Sequence, residues 1–320
     1  MSVTTVVAAG PRRSQIRRWL DRYWWAYAMT LPVVVVVGVL VLVPLAQGVY
    51  FSVTDVNENT IANPVLNRPA SYEFVGLDNY TNVLSGDPNY GSFWTMLVRT
   101  MIWTFSCVAL HYVIGLGLAL LLNRVVALRG LYRVLLILPW AVPAFISAFA
   151  WRYMFNADFG IINAGLEALG IDGAVWLGQS NLVLFSVIIV NVWLGVPFMM
   201  LALLGGLQSI PADLYEAAEI DGASPWQRFV EVTLPGLRSI SSTVILLGVI
   251  WTFNMFPVIY LVAGNNPNSR ILITYAFERF FSGASRDYAI ASTYGVLVLS
   301  VLLVFATGYR HALRRRGDVW

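Results

Sequence analysis

The chain has 320 residues, of which 58% are hydrophobic and only 12% charged, with a formal net charge of +3. An average soluble domain carries about 25% charged residues, so this composition excludes a water-facing globule of ordinary kind and gives no basic surface for nucleic acid. All 20 basic residues are arginine, and the single cysteine, Cys107, rules out an intrachain disulfide.

Apolar runs of bilayer length, about 20 residues, recur along the chain. They predict an all-α polytopic membrane protein with six transmembrane helices. Residues 1–24 are an Arg-rich N-terminus (Arg12, Arg13, Arg17, Arg18, Arg22), with residues 1–15 expected to lack fixed structure. A cleaved leader is the alternative, but the apolar stretch that follows is too long and no small-residue cleavage site closes it. The first span is therefore read as retained, at 25–51. An outer loop follows at 52–92, rich in Asn, Pro, Gly and Tyr. The core, 93–310, holds five more spans: 93–123, 131–155, 181–207, 238–262 and 288–309. Residues 311–320 form a tail.

Orientation follows from the arginines, because cytoplasmic segments are enriched in Arg and Lys. Placing both termini in the cytoplasm puts 14 of the 20 arginines in inner segments, among them Arg124, Arg129, Arg133, Arg310 and Arg314. Within the spans, Arg99 is expected to snorkel to the outer interface. His111 is expected to be a packed histidine, and Cys107 a small buried hydrophobe.

The inner segment 208–237 reads QSIPADLYEAAEIDGASPWQRFVEVTLPGL. It carries Asp213, Glu216, Glu219, Asp221 and Glu231 against Arg228 alone. Pro211 suits a first helical turn and Asp213 its positive end. Gly222 fits a left-handed helix terminator. Ser224-Pro225-Trp226-Gln227 spells a capping box with proline in the first turn, starting a second helix that should end before Leu234-Pro235. A helix resting on lipid would favour Arg and Lys on its polar face. An acidic corner instead suits docking into a protein groove with a basic rim.

Glu216-Ala217-Ala218, Asp221-Gly222-Ala223 and Leu234-Pro235 resemble the EAA loop of binding-protein-dependent ABC importer permeases. FVGLDNY (74–80), LYRVLLILPWAVPAFIS (131–147) and IVNVWLGVPFMM (189–200) extend the likeness to the maltose/maltodextrin (MalF-type) permeases of the carbohydrate family, over about residues 74–310. The sequence departs from them in three respects. The large extracytoplasmic insertion of some maltose permeases and the extra N-terminal helices of some members are not expected here, and Arg238-Ser239 stands where a proline often follows the Leu-Pro.

The resemblance implies a bacterial inner-membrane subunit that imports a maltose-like di- or oligosaccharide. Its implied partners are a second, similar permease, two ATPase subunits and an extracytoplasmic solute-binding protein. ATP and Mg would belong to the ATPases. Consistent with that, no phosphate-binding P-loop can be written in a chain without lysine. Glu216, Ala217, Ala218, Asp221, Gly222, Phe229, Leu234 and Pro235 are the implied ATPase-coupling residues. Ordinary helix propensity is the competing explanation for the two alanines.

A sugar site needs aromatic faces and a few hydrogen-bonding groups. The fourth span offers Asn191, Trp193, Leu194, Gly195 and Phe198, with Pro197 as a kink; the fifth offers Trp251, Thr252, Asn254, Met255 and Phe256. By resemblance, Leu194, Gly195, Phe198, Gly248, Trp251, Thr252 and Met255 stand where sugar-contacting residues are expected. Phe198 replaces a tyrosine of the family, and Thr252 and Met255 replace asparagines, which removes hydrogen-bonding capacity. Helix packing is the competing role for each.

Other transported cargo remains open at this point, including another carbohydrate or a glycerol phosphate. Two further classes compete. An ion-coupled secondary transporter usually carries intramembrane acids, which spans two to five almost lack. A membrane enzyme would need a catalytic or metal cluster, and two histidines with one cysteine do not build the usual ones. No catalytic or metal-ligating residue is therefore assigned.

Overall fold

The computed structural model describes residues 15–124, 127–282 and 286–315. The chain divides into two units, residues 1–50 and 51–320. The first unit is a helical rod: α1 (Gln15–Val37), a π-helical turn (Gly38–Leu42) and the start of α2 (Val43–Phe51). The expectation of disorder for residues 1–14 lies outside the described residues, and helix begins at Gln15, ahead of the expected boundary.

The second unit opens with a cap, the segment expected on the outer side. Two short antiparallel bridges, Thr54 to Phe74 and Asn63 to Arg68, tie it together. A short helix, α3 (Asp78–Ser85), then leads to α4 (Phe93–Asn123). Asn79 fastens the cap from within, donating through Nδ2 to the carbonyls of Ser52 (3.0 Å) and Thr54 (2.7 Å).

The third predicted span is two helices, α5 (Arg129–Ala141) and α6 (Ala144–Met154), bent by 91°. Pro143 holds Val142 extended (ψ 132°) and cannot donate to the Pro139 carbonyl, so the helix stops there. After α7 (Ile161–Ala168), α8 (Leu182–Ser209) runs through Pro197 without interruption. The acidic corner, expected on the inner side, follows as α9 (Ala212–Ile220), α10 (Pro225–Arg228), a π-helical turn (Phe229–Thr233) and α11 (Leu234–Gly236).

A 65° bend then leads into α12 (Arg238–Phe253). The fifth predicted span does not continue to residue 262 as one helix. It breaks at Asn254–Met255 and resumes as α13 (Phe256–Ala263), because Pro257 has no N–H for the Phe253 carbonyl. Hydropathy gives no sign of α14 (Leu272–Phe281), a short helix with a polar side, and α15 (Tyr288–Arg315) ends the described chain. Among the described residues, four helices are long and apolar enough to cross a membrane, or up to six if each bent pair counts as one.

The broadest helix contact is α4 against α8. Leu116, Ala119 and Leu122 of α4 pack on Met199, Met200, Leu203, Leu204 and Leu207 of α8. These recur every three or four residues, so each helix turns one continuous side to the other. In lipid such a contact is held by close packing rather than by the hydrophobic effect.

Arg99 does not snorkel free. Its Nη1 donates to the carbonyls of Pro267 and Arg270 (3.1 Å to the latter), pinning the loop before α14 to α4. In that loop Arg270 pairs with Glu278 at 2.9 Å, and the Glu278 side chain is only 9% exposed. Burial pushes the Glu278 carboxyl above its ordinary range, with Arg270 opposing. Arg270→Met should strand a buried carboxylate and cost about 3–5 kcal/mol. A group whose folded pKa is raised favours folding where it is protonated. The loss should therefore be smaller at about pH 5 than at about pH 8. Thermal unfolding of the purified variant at both pH values measures it; an unchanged midpoint at the higher pH contradicts this account.

Candidate functional site

Midway along α4 and α8 the two helices come close enough that no side chain fits between them at Gly195. A Cβ built there would lie 2.3 Å from His111 Nε2. His111 is buried, and its Nε2–H donates to the Asn191 carbonyl at 2.9 Å. That leaves Nδ1 as the acceptor of this tautomer. The histidine has the packing role expected of it, and it also forms one wall of a cavity.

The cavity has a volume of about 350 Å³, within the range of small-molecule pockets. Leu194, Gly195, Phe198, Gly248, Trp251, Thr252 and Met255 all line it, so α8, α12 and the break after α12 bring together the whole set named from the resemblance. Phe198 and Trp251 form an aromatic corner, with ring centroids 5.1 Å apart and planes at 55°. Trp251 is half-exposed on the cavity side of α12. Thr252 is held from behind: Trp103, fully buried on α4, donates Nε1–H to its carbonyl at 2.8 Å. The Thr252 hydroxyl bonds to no described residue. Among the described residues, no Asp, Glu or Arg lines the cavity. The arrangement suits an uncharged ligand with apolar faces and a few hydroxyls.

Of the other residues offered by the sequence, Asn191 joins the lining. Its Nδ2 is sealed beneath the lining, beside the Cys107 thiol. Trp193 turns away and packs edge-on against Trp151 at 5.8 Å. Asn254 and Phe256 line a separate cleft with Phe277 and Phe280. Sequence reasoning missed His111 as a lining residue, together with Met199 and the stretch Trp140–Ala144. The signal for that stretch was Pro139-Trp140-Ala141-Val142-Pro143, two prolines one helical turn apart.

The inner corner is built as its local signals require. Glu216, Ala217 and Ala218 lie on α9, and Asp221 caps it. Gly222 adopts φ +78°, with its N–H donating to the Glu219 carbonyl and the Ala223 N–H to the Ala218 carbonyl. This is the paired closure of a helix at a left-handed glycine. The Ser224 hydroxyl and Gln227 side chain complete the capping box. Two expectations need correction. Pro211 precedes the helix (ψ 134°) rather than opening its first turn. The second helix also continues through Leu234 and Pro235, since the π-helical turn lets the Leu234 N–H reach the Phe229 carbonyl ahead of a proline without an N–H.

Arg228 bridges the corner to Glu219 at 3.0 Å, and the Tyr215 hydroxyl meets Thr233 Oγ1 at 3.0 Å. Asp213, Glu216, Asp221 and Glu231 have no ion-pair partner among the described residues. Exposed Leu214, Ile220 and Trp226 stand among them. No group of three or more His, Cys, Asp or Glu that could hold a metal occurs among the described residues.

Comparison with known proteins agrees with this architecture. The family model described as "Binding-protein-dependent transport system inner membrane component" matches residues 111–317. The trehalose/maltose transport system permease protein MalF of Thermococcus litoralis is 36% identical over 298 residues, covering 91% of this chain and 94% of that protein. The maltose/maltodextrin transport system permease protein MalF of Salmonella typhimurium is 35% identical over 258 residues, 76% of this chain but only 50% of its own length. In fold, the chain matches one from the crystal structure of a bacterial alginate ABC transporter in complex with alginate pentasaccharide-bound periplasmic protein. The TM-score is 0.78 at 21% identity, over 94% of this chain and 98% of that one. The chain belongs to the binding-protein-dependent transport system inner membrane components: it is a non-catalytic, multi-pass permease subunit of an ABC importer.

Proposed function

We propose that this permease passes a neutral, maltose-type di- or oligosaccharide through the cavity between α4, α8 and α12. Permease subunits of the family carry no cofactor, and the ATP is hydrolysed by a partner ATPase. One observation carries the sugar reading. The seven residues named from the resemblance line one uncharged cavity with an aromatic corner. Relatives named for trehalose and maltose support the same cargo class. A glycerol phosphate fits less well, since no arginine lines the cavity to meet a phosphate.

In this reading the chain supplies half of the path, with a second homologous permease supplying the other half. An extracytoplasmic solute-binding protein delivers the sugar, and two ATPase subunits dock at the inner corner with both termini on their side. Glu216 is the polar anchor in a basic rim, and the exposed Leu214 and Trp226 enter an apolar groove. Ala217, Ala218, Asp221, Gly222, Phe229, Leu234 and Pro235 shape that surface. Movement of the docked corner swings the attached helices between inward- and outward-open arrangements.

Trp251→Ala in the assembled transporter should raise the KM for maltose uptake by roughly 10-fold, the loss of one aromatic face at about 1.4 kcal/mol. Unchanged uptake kinetics would remove Trp251 from the path. The double variant Glu216→Ala, Gly222→Val tests the corner. A β-branched side chain at φ +78° is strained, although open space surrounds the glycine. Uptake should fall by more than about 10-fold while membrane insertion is kept, and the partner ATPase should no longer respond to the loaded binding protein. Normal uptake by that variant defeats the docking assignment.

A further inference from the structure

We infer that a second cavity, between the start of α4, the loop before α14 and α14 itself, is a binding site for an anionic phospholipid, with the phosphate held by Arg99, Arg270 and Arg279. The site is separate from the path proposed for the cargo and does not depend on the cargo's identity. It gives a role to three arginines that fall outside the segments expected to be inner.

This cavity has a volume of about 740 Å³. Among the described residues, Arg99, Arg270 and Arg279 line it against a single acid, Glu278, which leaves an excess of two positive charges. Glu278 is already engaged, gripped by Arg270 through Nε and Nη2. Arg99 and Arg279 have no ion-pair partner among the described residues. Asp287 lies within electrostatic reach of Arg279 but neither pairs with it nor lines the cavity. Arg99 and Arg270 are close enough to repel one another. Like charges gathered in a partly buried cavity call for a counter-charge.

Each guanidinium is fixed by bonds that leave other N–H groups free. Arg99 donates through Nη1 to the Pro267 and Arg270 carbonyls. Arg270 donates through Nη2 to Asn265 Oδ1 at 2.8 Å. Arg279 donates through Nε to the Tyr275 hydroxyl at 2.7 Å and through Nη2 to the Asn89 carbonyl. Nη2 of Arg99 and Nη1 of both Arg270 and Arg279 bond to no described residue. A fixed guanidinium with spare N–H groups matches the oxygens of a phosphate. The start of α4 faces the same cavity through Ser92 and Thr95, and the Ser92 side chain caps no backbone group. The positive end of that helix therefore adds to the field.

Depth and surroundings select a lipid. α4 has 31 residues, which makes it about 46 Å long, about 16 Å more than a hydrocarbon core. Centred in a bilayer, its first turns, about 8 Å of helix, lie among headgroups. Arg99, on the second turn after Phe93, stands about 9 Å along the helix, at the boundary with the acyl chains. Beyond it on the same side of α4, Val98, Ile102 and Phe105 are half-exposed, spaced four and three residues apart. A phosphate at the arginines lays an acyl chain along that apolar stripe. Basic pockets beside membrane helices bind lipid headgroups in this way.

The test titrates lipid into the complete transporter in detergent and follows bound molecules by native mass spectrometry. Dioleoyl phosphatidylglycerol should bind the wild type at least about 10-fold more tightly than dioleoylglycerol, which has the same chains and no phosphate. Ser92→Asp puts a carboxylate at the cavity edge, at a position where an acid favours the helix. The fold is kept and the anion repelled, so phosphatidylglycerol affinity should fall by roughly 5-fold. Ser92→Asn, of the same shape without the charge, should stay within about 2-fold of the wild type. Arg279→Gln should lower the affinity by about the same factor as Ser92→Asp, with dioleoylglycerol binding unchanged. Equal phosphatidylglycerol binding by the wild type, Ser92→Asp and Arg279→Gln puts the headgroup elsewhere and overturns the site. Displacement of the lipid by millimolar inorganic phosphate, with phosphate held by the lipid-free wild type and lost from Ser92→Asp, assigns the cavity to a free anion and overturns the lipid. No preference for phosphatidylglycerol over dioleoylglycerol overturns it as well. If Ser92→Asp, and not Ser92→Asn, then weakens the hold of the solute-binding protein on the complex, the arginines belong to an acidic side chain of that protein.

Discussion

A polypeptide in lipid has to satisfy its own backbone hydrogen bonds, and this permease leaves them open only beside a cavity or at helix ends. α4, α8 and α15 are long unbroken helices. Against them stand two interruptions, at Val142–Pro143 and at Asn254–Met255, each next to a proline that removes an N–H from the ladder. Both open onto the same cavity, through Trp140–Ala144 on one side and Thr252 and Met255 on the other. The exposed polar backbone and the cavity therefore depend on each other. The breaks are tolerable because a cavity lies beside them, and the cavity has main-chain polar groups at its edge because the helices are broken.

The continuous helices fix where that cavity lies. α4 and α8 touch at a point where a residue without a side chain, Gly195, meets the ring of His111. The ring's bond to the Asn191 carbonyl then sets the rotation of one helix against the other. About two turns of α4 away, Trp103 reaches across to the Thr252 carbonyl and holds the end of α12 against the same wall. A buried polar contact is strong in these surroundings because nothing else competes for its partners. Two such contacts, both made by α4, define the cavity's position relative to α8 and α12.

What the sequence revealed follows from how local each signal is. The long spans were legible because bilayer length is a property of a single run of residues. The corner at Gly222 was legible because a capping box and a left-handed glycine act within a few positions of each other. Pro235 misled, since whether a helix stops at a proline or absorbs it in a wide turn depends on the following bend into α12. The break in the third span was in view as Pro139 and Pro143, yet hydropathy averages over such a stretch and returns one apolar segment. α14 went unseen for the opposite reason: its charged residues, Glu278 and Arg279, lower the hydropathy that marks a span. Most lining residues of α8 and α12 were in view as aromatic and polar positions of two spans, but only the resemblance separated them from Trp193, Asn254 and Phe256 and added Gly248. His111 and Trp140 enter the cavity through tertiary folding, which no local pattern encodes.

The acidic corner and the cavity are joined by covalent structure. α8 carries Asn191, Leu194 and Phe198 along the cavity wall and ends at Ser209, directly before the corner. α12 leaves the corner at Arg238 and reaches the cavity at Gly248, Trp251 and Thr252. From Arg238 to Thr252 the helix spans about 20 Å at 1.5 Å per residue. A corner that moves as one piece, closed by the Arg228–Glu219 bridge and the Tyr215–Thr233 contact, thus displaces two walls of the cavity together. The charge pattern divides the labour in the same way. Among the described residues, acids without ion-pair partners gather where a protein is proposed to dock, while no Asp, Glu or Arg lines the cavity, so a ligand there would meet no fixed charge. A neutral ligand held there by ring faces and hydrogen bonds would lose its hold if those two walls separated, because each contact is short-ranged and fails within an ångström or two of displacement. A charged ligand held by arginine would keep much of its attraction over the same movement.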